Sequence, residues 1–298
     1  MGEKRSHIPE LIIAGAPKCG TSSLFFWLAA HPDICPSFKK ETHFLRDRVV
    51  PQNRDLNIHQ HGIEAYRQLF PSPEKGQLRA EATPIYLYEK TPLRTLSEAS
   101  PSPIVIFLLR DPVERIHSRY RFATYRRKQI RISFKEFLNT DPETLNWRIH
   151  PVEQSRYSKY LGQWKEDIGE DQLKVYLFEE MKTDPQGFMK GLSKDIGIDP
   201  SFYETYDPAQ RNTSKKVRSK WLHRLGERIQ PLIPTKVQEK LLPLYLKLNT
   251  GSLPPVSEKE LKEKERLREK FEEELKELKE LFPDLDLGPW EKKLHKKD

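Results

Sequence analysis

Two continuous apolar runs stand out in a chain that is otherwise rich in charge: Leu11-Ile12-Ile13-Ala14 and Pro103-Ile104-Val105-Ile106-Phe107-Leu108-Leu109. Runs of this kind suit strands buried on both faces of a parallel sheet. Each leads directly into turn and helix-start chemistry. After the first, Gly15 and Gly20 bracket a tight loop, and Thr21, Ser22 and Ser23 begin a helix. Leu24-Phe25-Phe26-Trp27-Leu28 supplies that helix with an apolar face. The helix is expected over 22–31, because the proline of His31-Pro32 stops it. After the second run, Asp111 caps and Pro112 opens a helix through Ser118, Tyr120 and Phe122.

The remaining pattern is weaker. Asp33 to Phe38 reads as a short extended segment and Ile63 to Phe70 as a helical stretch. Arg79 to Tyr88 begins as a strand and turns at Pro84, with Glu81 and Thr83 placed to face a cleft or simply to form an edge strand. Trp221 to Ile229 and Lys236 to Leu248 read as amphipathic helices. Ser257 to Phe282 reads as one long helix. Its stripe Leu267, Phe271, Leu275, Leu278 and Phe282 can dock on the body of the protein. The fold expected is α/β, a parallel sheet flanked by helices, with helical insertions and a helical C-terminus, in a single domain over 1–298.

Composition narrows the function classes. The chain has 298 residues and a formal net charge of +8, which favours an acidic ligand or partner. The basic excess is diffuse, so nucleic acid is not indicated. No apolar run approaches the roughly 20 residues of a membrane span. The polar start MGEKRSHIPE predicts no secretory leader. Cys19 and Cys35 cannot build a disulfide framework. A cytoplasmic setting is therefore expected, in which the sequon Asn212-Thr213-Ser214 is chance.

The chemistry concentrates at the two strand ends. Strand, glycine loop and helix N-terminus form a cradle of backbone N–H groups for an anion. Gly15 and Gly20 have Walker A spacing, but Thr21 stands where the Walker lysine would be, and the lysine is Lys18, inside the loop. A cation there leans over a bound phosphate or its leaving oxygen; the plainer alternative is a solvated lysine on a strand–turn–helix corner. Arg110 ends the second strand, where ligands of open α/β sheets bind. Ser118 lies about two helical turns further on, so the pair can grip a phosphate. In Lys39-Lys40-Glu41-Thr42-His43, either Glu41 or His43 can take a proton from a hydroxyl, unless the segment is an ordinary charged turn. Asp111 could serve magnesium in a nucleotidase but reads better as a helix cap. No metal-ligand spacing occurs.

These motifs together resemble the P-loop-like sulfotransferases that use 3′-phosphoadenosine 5′-phosphosulfate (PAPS), in particular the bacterial and heparan-sulfate-type branch. The segments that carry the likeness are Ala16 to Ser23, Lys40 to Phe44, Glu81 to Tyr86 and Leu109 to Tyr120. Ser155 to Trp164, Leu173 to Pro185 and Asn212 to Trp221 support it, in family order from about residue 9 to 225. The resemblance implies a P-loop NTPase-like sheet, with a core over about 9–225 and a helical extension over about 226–298.

It also implies roles. Lys18, Cys19, Gly20, Thr21, Ser22 and Ser23 form the 5′-phosphosulfate loop, with Lys18 stabilising charge on the bridging oxygen. Arg110 and Ser118 hold the 3′-phosphate. Glu41 matches the general base of the heparan-sulfate branch, and His43 is the alternative. Lys215, Lys216 and Arg218 close a basic loop over the cofactor, and no metal is needed. Phe178 is a candidate for packing on adenine, although a core strand position is the better reading. One residue departs from the pattern: Ala82 stands where that branch has a lysine, which weakens heparan sulfate as the specific acceptor. The basic segment from Thr124 to Asn146 is expected to border the acceptor cleft.

The expected activity is sulfuryl transfer from PAPS to a hydroxyl, on a glycan or a small molecule, by in-line displacement with a carboxylate base. The alternatives are a P-loop nucleotide kinase and a non-catalytic polyanion-binding protein.

Overall fold

The structure, a computed structural model, describes residues 7–127, 129–145, 147–208, 216–217, 250–251 and 253–294. Five parallel strands form the main sheet: β1 (Leu11–Gly15), β2 (Ile34–Pro36), β3 (Leu78–Ala82), β4 (Ile104–Leu109) and β5 (Leu173–Leu177). Their order is β2-β3-β1-β4-β5. The first apolar run is thus the central strand, paired to β3 through Leu11↔Ala80 and to β4 through Leu11↔Ile104. The register with β4 shifts between Ile13 and Gly15, where β1 gives way to the glycine loop.

Alternation along β1 divides the core. Leu11 and Ile13 face a layer with Leu24, Phe25, Leu28, Met189 and Leu192. Ile12 and Ala14 face the other layer, with Tyr157, Leu161, Trp164, Leu275 and Trp290. Covering both faces explains why β1 and β4 read as unbroken apolar runs.

The first helix spans Thr21–Leu28, starting one residue before and ending three before the expected limits. The turn that follows is fixed by His31, whose Nδ1 accepts from the Asp33 N–H at 3.0 Å while Nε2 meets the Asp199 carbonyl at 2.8 Å. Ile63–Leu69 is a 3₁₀ rather than an α-helix. The helix after β4 spans Pro112–Arg121 and continues into a π-helical turn, Phe122–Arg126.

The long C-terminal helix expected over 257–282 is two helices, Glu258–Glu269 and Glu272–Leu281. The break falls at Phe271, which is buried in a satellite core with Leu267, Phe134 and Phe137. Leu275 and Leu278 instead join the main core beneath the sheet. One straight helix cannot direct its stripe into both. The helices expected over 221–229 and 236–248 lie outside the described residues. Among the described residues no helix is long and apolar enough to cross a membrane.

Candidate active site

The glycine loop crosses from β1 into the Thr21–Leu28 helix. Gly20 caps that helix in the left-handed region, with φ 92°, and no side chain caps it. A Cβ at Gly20 would lie 2.7 Å from both the Phe178 ring and Met181 Cε. Glycine therefore lets the backbone run against the residues that follow β5. The first N–H groups of the helix stay open to an anion. Thr21, Ser22 and Ser23 are its first three residues. Cys19 is fully buried, with its thiol 3.7 Å from the Tyr157 hydroxyl. Burial raises the thiol's pKa.

Lys18 sits at the loop apex with φ 75°, a conformation sparsely used by residues with a side chain and a frequent mark of functional sites. Its ammonium lies 3.8 Å from the centroid of the Phe122 ring. Burial, with Arg119, Arg126 and Arg110 nearby, lowers its pKa to about 8. Arg110 projects from the end of β4 over the Phe178 ring, 4.9 Å from its centroid. Its Nε is buried and has no hydrogen-bond partner among the described residues. Among the described residues none of the partly buried Lys18, Arg110 and Arg119 is in an ion pair. Cations withdrawn from water without a counter-ion make a site for an anion.

Phe178 opens a short helix, Phe178–Thr183, directly after β5. It is not the core strand residue the sequence favoured: its half-buried ring borders the cradle between Gly20 and Arg110. Ser118 lies on the Pro112–Arg121 helix. Asp111 is a helix cap, as its sequence context indicates. It accepts from the Val113 and Glu114 N–H groups at 3.0 and 3.1 Å and pairs with Arg268 at 3.0 Å.

Sequence reasoning missed Arg115. Fully buried, it donates to the Pro17 carbonyl at 3.0 Å, the Pro151 carbonyl at 3.1 Å and Ser155 Oγ at 2.8 Å. It also reaches the Tyr88 hydroxyl and Gln154 Oε1, each at 3.2 Å. The Arg-x₄-Arg spacing in the motif was the available signal, but only the fold shows that the first arginine faces the cradle and the second braces the loop.

Glu41 and His43 touch. Glu41 Oε2 is 3.5 Å from His43 Nε2, and Oε1 is 3.4 Å from Lys40 Nζ. His43 has φ 56°, and its N–H is held by Thr83 Oγ1 at 3.2 Å. Burial lowers its pKa to about 4, against the pull of Glu41, so the ring is neutral near pH 7. Glu81 does not face a cleft. It is fully buried and accepts from Thr42 Oγ1 at 2.5 Å, Thr83 Oγ1 at 3.0 Å and the Tyr66 hydroxyl. Its role is to clamp the segment that carries Glu41 and His43 onto the end of β3. Lys215, Arg218 and the Lys216 side chain lie outside the described residues.

Beside this edge opens a cavity of about 780 Å³. Arg46, Arg48, Arg119, Arg127 and Arg148 line it, together with Phe122 and Trp147. Glu89 is the acidic member of the lining, and it pairs with Arg46 at 2.7 Å and Arg148 at 3.5 Å. Gln129, Ile130, Thr144 and Leu145, from the segment between Thr124 and Asn146, belong to the wall. Phe122 belongs both to this wall and to the Lys18 contact. The anion cradle and the cavity therefore adjoin.

A family model described as "Sulfotransferase family" matches residues 9–203. Heparan sulfate glucosamine 3-O-sulfotransferase 3B1 of Mus musculus is 28% identical over 258 residues, covering 83% of this chain and 63% of that protein. Bifunctional heparan sulfate N-deacetylase/N-sulfotransferase 4 of Mus musculus is 25% identical over 216 residues, covering 68% of this chain and 24% of that protein. The chain thus spans less than two thirds of the length of these relatives. Among solved structures, a sulfotransferase from Alicyclobacillus acidocaldarius is similar, with a TM-score of 0.58 and 27% identity. That match covers 75% of this chain and 92% of the other.

Proposed function

The chain belongs to the sulfotransferase family, and from that premise we propose that it transfers a sulfuryl group from PAPS to a hydroxyl of an anionic carbohydrate. The observation that carries this reading is the set of cations at the ends of β1 and β4, above all Arg110 with its unpartnered, buried Nε. The donor carries phosphate groups at the 3′ and 5′ positions of its ribose, and the glycine loop and Arg110 provide two anion contacts. The arginines of the adjoining cavity favour an acceptor that already carries negative charge. The named relatives act on heparan sulfate, which is such a polymer.

Bound there, the donor would supply an activated sulfuryl group on a phosphate leaving group. Gly20, Thr21 and Ser22 would hold the 5′-phosphate end, and Arg110 and Ser118 the 3′-phosphate. Lys18 would offset the negative charge that develops on the bridging oxygen. Glu41 would take the acceptor proton, with neutral His43 beside it to orient the carboxylate or relay the proton. A sulfuryl group carries less charge than a phosphoryl group, so a lysine and backbone donors can serve without a metal ion.

Calorimetric titration with adenosine 3′,5′-bisphosphate, run beside ATP with magnesium, tests the reading. Micromolar binding of the bisphosphate, about 8 kcal/mol, is expected, with none for ATP. Transfer of labelled sulfate to a panel of acidic and neutral glycans then tests the acceptor class. Binding of ATP with magnesium alone would overturn the proposal.

A further inference from the structure

Five arginines line the cavity, and they are not equivalent. Arg46 is paired with Glu89, and Arg148 with Asp47 and Glu89. Arg48 and Arg127 are exposed, so water already meets their charge. Arg119 is different. It is partly buried and in no ion pair among the described residues, and its guanidinium lies 4.5 Å from the centroid of the Trp147 ring. Burial, reinforced by Arg115 and Arg127, lowers its pKa to about 10. The ring keeps the guanidinium in place without neutralising it.

Position makes this meaningful. Arg119 precedes Phe122 by three residues on a helical path, so the two share a face, and both line the cavity. Phe122 carries the Lys18 ammonium on its ring. Arg119 is also the leading charge among those that depress Lys18. An unneutralised guanidinium, largely withdrawn from water, therefore stands where the anion cradle meets the cavity.

We propose that Arg119 is a further catalytic residue of this site, the cation that contacts the sulfuryl group as it passes from donor to acceptor. This rests on the sulfotransferase reading given above. In the step, the acceptor oxygen forms a bond to sulfur, and the bond from sulfur to the bridging oxygen breaks. The electron pair stays on the departing phosphate, and the acceptor proton goes to Glu41. Lys18 serves the oxygen that leaves. Arg119, on the cavity side, serves the sulfuryl oxygens between the two. A preorganised donor aimed at such charge is worth about 100-fold or more in rate.

The test compares Arg119→Gln and Arg119→Lys with wild type in three measurements. These are bisphosphate binding, turnover with a sulfated glycan acceptor, and the pH dependence of Lys18 acylation read by mass spectrometry. Arg119→Gln is expected to bind the bisphosphate within about threefold of wild type and to lose about 100-fold in kcat. The midpoint of its Lys18 labelling should rise, because a repelling neighbour is gone. Arg119→Lys should keep a tenth or more of the rate. Wild-type turnover and labelling in Arg119→Gln would overturn the proposal. If Arg119→Gln does not fold, Arg119→Lys decides: it keeps the charge, so retention of a tenth or more of the rate supports the proposal and loss of turnover beyond that overturns it. Failure of wild type itself to bind the bisphosphate would strike the sulfotransferase reading instead.

Discussion

The Arg115 guanidinium donates to the carbonyl of Pro17, 3.0 Å away, and so holds the residue next to Lys18 from a helix that begins beyond β4. The same guanidinium reaches Tyr88 and Gln154, which line the cavity. One buried cation thus ties the anion loop to the cavity wall. Arg115→Ala would strand several buried acceptors, and a loss of roughly 3 kcal/mol or more in stability is expected. Denaturant melts measure this. Arg115→Lys should recover part of the stability but leave bisphosphate binding weakened, because an ammonium cannot span all five acceptors.

Lys18 and Arg110 should separate in kinetics. Lys18→Ala is expected to remove transfer while retaining most bisphosphate binding, since its charge matters chiefly as the leaving oxygen develops. Arg110→Ala is expected to weaken bisphosphate binding by about 2 kcal/mol, roughly 30-fold in Kd. Calorimetry and initial rates on both variants distinguish the two roles, and wild-type behaviour in both would remove the site assignment.

The depressed pKa of Lys18, about 8, sets an alkaline limit. The ammonium is fully present below that value and is lost as pH rises through it, so kcat/KM should fall on the alkaline side of about pH 8. Lys18→Arg, always charged, should shift that limb upward at reduced rate. On the acid side, Glu41→Gln should lower kcat by about 100-fold or more if the carboxylate takes the acceptor proton. His43→Asn should cost less, because its ring then only orients Glu41. The reverse order would make His43 the base.

The C-terminal helices carry their own pH dependence. Glu274 is buried, accepts from Ser158 N and Oγ at 2.8 and 2.7 Å, and has its pKa raised to about 7, with burial as the leading cause. Its folded pKa lies above the ordinary carboxylate value of 4.5. The folded state therefore holds more protons between about pH 4.5 and 7, and stability falls as pH rises through that window. Tm should decline from pH 5 to pH 8, and Glu274→Gln should flatten the decline. An unchanged slope in the variant would mean that Glu274 is ionised in the folded state throughout.

Much of the site is legible in the chain because its signals are local. The loop from Gly15 to Gly20, the strand end at Arg110 and the cap at Asp111 each follow from residues within one turn of each other. The parallel sheet follows as well, since only strands covered on both faces are apolar at every position. Glu41 and His43 could be named as a pair, and the fold keeps them in contact.

What the sequence determined by itself is the two central strands, the glycine cradle and the types of group that could bind an anion, because those depend on short-range periodicity and backbone chemistry. Tertiary structure alone decided which charges stay unpaired. Glu81 reads as a cleft residue until Tyr66 and Thr42 close over it. Phe271 reads as one more position on a stripe until two separate cores require the helix to break. Arg115 and Arg119 belong to one basic motif, yet one is saturated by five acceptors and the other is left uncompensated beside Trp147. Burial and partner choice arise from residues tens to more than a hundred positions apart, and no local pattern records how those meet.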